Sequence, residues 1–353
     1  MRRHAFLILL LLPCVFAQTP DFALDRPGRW TVQPADWPSD MPADARPRLT
    51  QTLNDVIAVL RKTPTLAQPR GLEITVTKHA EWQDLDSQSD TRRPKFAEAA
   101  ITVEIAAYPK DAKPKEPPVY VAVLHVGVND LSLFAGWESG QGVSADDAGA
   151  RFLIDPPEPF EMRGAWPVYH DFNDRASWVV MMRAKAPIFA PVPRERYLQY
   201  QIGEIGKLAG RKMQTLSAPP SNDPAVVAAW KEAQKQIAEV QQTFNEGKAH
   251  VQAQLDGLNK QLAEMSPADR RAPAYVSSPN PTEEGTIEFQ QRGDSDAKAV
   301  VYRNPALLNE RLPRGAAQIL TVWFEPRDEW PDLAPKLEQE FDWTALEKIL
   351  AAP

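Results

Sequence analysis

The sequence predicts an α+β protein in which an antiparallel, twisted sheet carries a long inserted α-helical hairpin. Alternating apolar and polar residues, typical of strands with one face in water, precede a helical segment, and further strand-like stretches follow it. That segment, 223–265, carries an apolar residue at every seventh position and no proline after Pro224. Two stretches that are apolar on both faces, 178–182 and 318–324, flank it, and we expect them to share one sheet.

The amino terminus has the features of a secretory signal peptide. A basic start (Arg2, Arg3) precedes an apolar core over 6–12, and a small-residue site predicts cleavage after Ala17. The apolar run is too short to span a bilayer. The only cysteine, Cys14, would be removed, so the mature chain would have no disulfide, thiolate nucleophile or Cys-ligated metal. These features predict a secreted or periplasmic protein.

Size and charge limit the functional classes. The mature chain would have 336 residues, which is enough for two domains. Without Arg2 and Arg3 it would carry 38 basic and 47 acidic residues, a net charge of −9. This charge argues against nucleic acid and anionic membranes as partners.

The elements before the helical segment predict the body of the protein. Residues 18–44 form an irregular, proline-rich lead-in, and an α+β domain follows over 45–193. Its first element is an amphipathic helix at 45–61, which would back the sheet. Alternation at 72–77 and 101–105 predicts one-faced strands, and the apolar stretch 119–128 predicts a more central strand.

A helical hairpin is predicted over 194–266. Asp223 can cap the second helix and Pro224 suits its first position, while the proline after Ser266 ends it. This helix would be roughly 60 Å long. The preceding helix, separated by a short proline-rich link, is about half as long, so it would leave the end of its partner uncovered.

The uncovered end carries a candidate interaction surface, which we call the apolar stripe: Val251, Leu255, Leu258, Leu262 and Met265. Either the body of the protein or a second chain must cover it. The leading hypothesis is therefore a non-enzymatic binding or assembly protein that uses the long helix. A protein partner or self-association is expected, with no membrane span.

The remaining residues, 267–353, are predicted to return to the α+β domain. Strand-like stretches occur at 286–289, 299–302 and 318–324, and a short helix closes the chain at 342–351.

No motif specifies a metal or a cofactor, and none is predicted. His170, Asp171, Asn173 and Asp174 are close in sequence, but no histidine pair has the spacing of helical zinc ligands, which favours a turn. His125 lies in an apolar strand, which favours a hydrogen-bonded core histidine over a pH sensor.

The alternative hypothesis is a hydrolase acting on an envelope carbohydrate or peptide. The glycine-rich stretch 136–147 lacks the lysine of a P-loop, and the chain lacks a Gly-x-Ser-x-Gly nucleophile elbow. Glu138, Asp146 and Asp147 would supply its carboxylates if a cleft brought them near His125 or His170. Loop tryptophans could stack on sugars or cover the ends of the sheet: Trp82, Trp137, Trp166 and Trp330.

Two stretches resemble a pattern found in an uncharacterised family of secreted bacterial proteins. One is Pro-Val-Pro-Arg-Glu-Arg-Tyr-Leu at 191–198, and the other is Tyr-Arg-Asn-Pro at 302–305, followed by Leu-Pro-Arg at 312–314 and Gln318. The family has no assigned activity, so the resemblance implies secretion and carries no functional residue over.

Overall fold

The structure, a computed structural model, describes residues 21–84, 95–112, 116–134, 152–170, 177–182, 187–209, 223–309 and 311–350. The following description concerns these ranges, and 1–17 lies outside them. Within them, no helix combines the length and the apolar composition needed to cross a membrane.

The larger sheet has eight strands in the order β1-β2-β3-β4-β12-β8-β7-β6. Its strands are β1 (Arg29–Val32), β2 (Leu72–Asp84), β3 (Lys95–Ala107), β4 (Val119–Val128), β6 (Glu161–Arg163), β7 (Trp166–His170), β8 (Ser177–Met182) and β12 (Ile319–Pro326). β1 runs parallel to β2, and the other neighbours are antiparallel. β8 and β12 are neighbours, which confirms the predicted sharing of one sheet.

Helices cover one face of the larger sheet and form the first core with it. They are α1 (Ala45–Leu60), α2 (Pro64–Ala67), α6 (Leu333–Glu340) and α7 (Trp343–Glu347). In α1, Leu49, Leu53, Val56 and Leu60 recur at helical spacing and are fully buried against the sheet. Leu320 and Val322 of β12 point into the same core, so their sequence neighbours face the other side.

A smaller, four-stranded sheet forms a second core with the helices of the central segment. Its strands are β5 (Phe152–Ile154), β9 (Phe189–Pro191), β10 (Tyr275–Val276) and β11 (Lys298–Arg303). The helices are α3 (Arg194–Ala209), α4 (Pro224–Glu264) and α5 (Pro267–Arg271). Tyr197, Leu198, Leu258 and Val300 are fully buried where these elements meet.

The predicted fold class is wrong. The structure has a mixed sheet and a second sheet, where the sequence predicted one antiparallel sheet with an inserted helical hairpin. Side-chain alternation shows which face of a strand is exposed to solvent, but it does not show the direction of the strand. The parallel strand β1, which lies within the predicted lead-in, was therefore not predicted. The helical segment packs with β5, β10 and β11 in a core of its own. It is therefore part of a second α/β layer.

The backbone of the segment 282–287 packs directly against the backbone of α4. A Cβ atom on Gly257 would lie 2.2 Å from the carbonyl oxygen of Glu284, and Gly285 has a φ of +73°. The Gln261 side chain then pairs with the backbone of Ile287, donating to its carbonyl at 2.8 Å and accepting from its N–H at 2.9 Å. Two glycines are needed here because the backbones touch.

Candidate functional site on the open face of the larger sheet

The face of the larger sheet opposite its helices carries a row of rings, which we call the aromatic row. Cross-strand pairing aligns His125, Trp323 and Trp178 on β4, β12 and β8. The His125 and Trp323 rings stack with centroids 4.7 Å apart, and Trp178 lies 5.1 Å beyond. The Nδ1 atom of His125 is 3.2 Å from the Thr102 hydroxyl on β3. All three rings are half-buried, so part of each faces outward.

The next row of the same face includes the small residues Ala100, Gly127 and Thr321, and then Val180, which is fully buried. Asp130 lies against the glycine, because a Cβ on Gly127 would be 2.9 Å from the Cβ of Asp130 and 2.4 Å from the Thr321 hydroxyl oxygen. Gly127 therefore makes room for a carboxylate at the centre of the face.

Asn129 fixes the backbone that presents Asp130. It is buried and has a left-handed conformation, with a φ of 57°. Its amide donates to the carbonyls of Ala97 and Ala316, while its oxygen accepts from the N–H groups of Gln318 and Ile319. One side chain thus ties β3, β4 and the start of β12 together.

Glu98 on β3 is the most perturbed titratable group of this face. Burial, and then the negative charge of Asp130, raise its pKa to about 8, against the opposing effect of Arg303. The folded state therefore holds a proton that the unfolded chain releases near pH 4.5. It follows that the stability from this group is fully present at low pH and is lost as the pH rises through about 8.

His125 is shifted in the other direction. Burial, followed by the positive charge of Arg327, lowers the pKa of its imidazole, with Asp130 opposing. The ring is therefore neutral at pH 7, and it offers a hydrogen-bonding group without a charge.

Two polar atoms on this face are buried without a hydrogen-bond partner in the described part of the chain. They are the Thr321 hydroxyl oxygen and the Trp323 indole nitrogen, Nε1. The residues are two apart on β12, so both side chains lie on the face opposite the helices, where Thr321 is 1% exposed and borders a buried cluster that includes Val180 and Ile319. A buried polar group left unpaired costs about 1–3 kcal/mol, so each of these atoms favours an arriving partner.

The structure separates the site residues predicted from the sequence. His125 belongs to the aromatic row, whereas His170 ends β7 with its ring stacked on Phe160 at 3.7 Å. Residues 171–176, and Glu138, Asp146 and Asp147 of the hydrolase hypothesis, lie outside the described residues. In the part that is described, no group of three or more His, Cys, Asp or Glu side chains could hold a metal.

The other predicted residues pack on the body. In the apolar stripe, Leu258 is fully buried, and Val251, Leu255, Leu262 and Met265 are half-buried against the second core. Trp82, Trp166 and Trp330 pack against the first core, in keeping with their interpretation as covers of the sheet, and Trp137 lies outside the described residues.

Sequence analysis missed Glu98, Asp130, Thr321 and Trp323. Alternation along β12 could have put Thr321 and Trp323 on one face, but both sides of that strand read as apolar. Only the strand order brings them beside His125, Gly127 and Asp130, which are far away in sequence.

No family model, curated protein or solved structure matches this chain. The geometry of the open face is therefore the basis for assigning a function.

Proposed function

We propose that this protein is a non-enzymatic binding protein whose open sheet face holds an oxygen-rich ligand, a saccharide. The observation that carries the proposal is the pair of unpartnered buried groups, the Thr321 hydroxyl and the Trp323 N–H. An indole N–H only donates, so the ligand must bring acceptor oxygens. The aromatic row beside it offers apolar ring surface. Sugars combine hydroxyl oxygens with apolar C–H faces, which matches both features.

The sequence predicts that the long helix binds a protein partner or a second copy of the chain. Because its apolar stripe packs against the second core, we assign binding to the open sheet face.

We also propose that the chain is exported to the periplasm or the medium after cleavage behind Ala17. Sequencing the amino terminus of the mature protein checks this. A start at Gln18 supports export, and an intact Met1 in protein recovered from outside the cytoplasm contradicts it.

Binding to soluble oligosaccharides of glucose and of N-acetylglucosamine tests the proposed site. We expect Trp323→Phe, which keeps a ring but removes the N–H, and Thr321→Val, which removes the hydroxyl, to weaken binding about five- to tenfold each in calorimetry. Neither variant should be less stable than the parent without ligand, because each removes a buried polar group that has no partner.

Thr77→Val is the matched control. Thr77 on β2 pairs with Thr102 on β3, which pairs with His125 on β4, so Thr77 lies two strands away from His125 on the same face. It makes no hydrogen bond to the Trp323 indole nitrogen. The control variant should leave affinity unchanged. Absence of binding to every oligosaccharide, or equal affinity in all three variants and the parent, would refute the saccharide site.

A second candidate function is acid–base hydrolysis at the same face, favoured by the raised pKa of Glu98. With its pKa near 8, Glu98 is protonated at neutral pH and could donate a proton to a leaving group, while the Asp130 carboxylate accepts one from water. This moves the predicted hydrolase chemistry from the 136–147 loop to two described carboxyl groups. The reaction class would be hydrolysis of a glycosidic bond.

Hydrolysis of nitrophenyl glycosides by the parent and by Glu98→Gln tests this candidate. We expect kcat/KM to fall as the pH rises above about 8, where Glu98 loses its proton, and the variant to lose activity by 100-fold or more. Glu98→Gln should also flatten the loss of stability between about pH 4.5 and 8, because its amide does not titrate. Turnover that Glu98→Gln leaves intact, or no turnover above background, would rule the candidate out.

A further inference from the structure

A cleft lies beside the second core, away from the candidate site on the larger sheet. It has a volume of about 540 Å³ between the end of α4, the start of α3 and the segment 284–289. Ligand pockets typically have roughly 300–1,000 Å³, so it has room for a small organic molecule. The close crossing at Gly257 and Gly285 and the pairing of Gln261 with Ile287 hold its walls together.

Arg194 forms the positive wall of this cleft. Its guanidinium lies over the Phe289 ring with 4.9 Å from Cζ to the centroid, and one terminal nitrogen donates to the Gln290 carbonyl at 3.1 Å. The Nε atom is buried and has no hydrogen-bond partner in the described part of the chain. Nor does any described carboxylate pair with Arg194, whereas its neighbour Glu195 pairs with Arg270 at 3.1 Å. A positive charge held rigidly without a counter-charge favours an anionic group.

Glu284 also lines the cleft, and it is an exposed residue whose carboxylate has no partner among the described residues. Of the other charged residues, Lys260 lies 4.0 Å from Glu264, and Asp269 accepts the Ser266 hydroxyl at 2.6 Å but has no cation partner among the described residues. The cleft therefore presents one positive charge without a described counter-charge, on Arg194, and two such negative charges, on Glu284 and Asp269.

We infer that this cleft is a second ligand site, for free α-amino acids or short peptides whose carboxylate and ammonium groups are both unblocked. The carboxylate would meet the fork of Arg194, including its unpartnered Nε–H, and the ammonium would meet Glu284. Phe289 and Met265 supply apolar surface for the ligand's side chain. A ligand with only one of the two charges would leave either Arg194 or Glu284 unmatched.

Calorimetric titration with L-leucine and L-leucyl-L-leucine tests this site, with N-acetyl-L-leucine and L-leucinamide as the two singly blocked probes. We expect at least one unblocked probe to bind, and either block to weaken binding about tenfold or more. Binding by the amino acid alone identifies a single-residue site, and tighter binding by the dipeptide identifies a peptide site.

Variants then link the binding to the two walls. Arg194→Gln and Glu284→Gln should each weaken the unblocked probe about tenfold or more, while Glu283→Gln, a change at the adjacent exposed carboxylate, should not. A thermal melt of Arg194→Gln checks folding, and Arg194→Lys should restore part of the affinity if charge is what matters. Absence of binding by both unblocked probes, or equal binding of blocked and unblocked ones, would overturn the inference. Saccharide binding on the larger sheet should be unchanged in all four variants, so the two sites can fail independently.

Discussion

Replacing Asn129 with alanine should lower the free energy of unfolding by about 4 kcal/mol or more, the largest effect expected for a single polar side chain of this protein. The change leaves four buried backbone groups without their partner, two carbonyls and two N–H groups. Each unsatisfied group costs about 1–3 kcal/mol, although relaxation recovers part of the total. Alanine also loses the preference of asparagine for the left-handed backbone at a φ of 57°. Since domains are stable by about 5–15 kcal/mol, such a loss is a large part of the total stability and could prevent the protein from folding.

Urea unfolding of Asn129→Ala measures this loss, with Asn280→Ala as its control. Asn280 is exposed, and its side chain makes no hydrogen bond within the described residues, so its replacement should change stability by less than about 0.5 kcal/mol. Asn129→Asp adds a second comparison. It keeps the acceptor oxygen but loses the two donors and adds a negative charge facing two carbonyls. Near-parental stability of both Asn129 variants would show that the hydrogen bonds are unimportant.

The double change Leu258→Glu with Leu262→Glu should destabilise the monomer by several kcal/mol and leave its association state unaltered. Leu258 is fully buried, and Leu262 packs beside it against the second core, so both glutamates would enter an apolar environment. Burying a Leu contributes roughly 1.5–3 kcal/mol, and an unpaired buried charge adds a further cost. Urea unfolding measures the stability, and light scattering measures the mass.

The control for this pair is Asn259→Glu with Ala263→Glu, one position further along the same helix and on its exposed side. It adds the same two charges to α4 without entering the second core, so stability should stay within about 1 kcal/mol of the parent. The opposite result would be a Leu-pair variant that keeps the parent's stability but is monomeric where the parent is a dimer. That result would show that the apolar stripe is an interaction surface.

Local pattern alone determined much of the secondary structure. Alternation at 72–77 and 101–105 reflects the one-sided burial of β2 and β3, because successive side chains of a strand point to opposite faces. The spacing of Leu49, Leu53, Val56 and Leu60 likewise follows from burying one side of α1. The double-sided apolar character of 178–182 and 318–324 also placed β8 and β12 in one sheet, as the structure confirms.

Tertiary structure alone decided the direction of β1, the cover over the apolar stripe and both candidate sites. An apolar stripe specifies that a helix face must be buried, but the burial free energy is non-directional and does not identify the covering surface. The open face depends on registers that join positions about 200 residues apart, such as His125 with Trp323. The cleft similarly joins Arg194 to Glu284. Polar residues so far apart in the sequence are brought together only by long-range packing, so no local sequence pattern marks them.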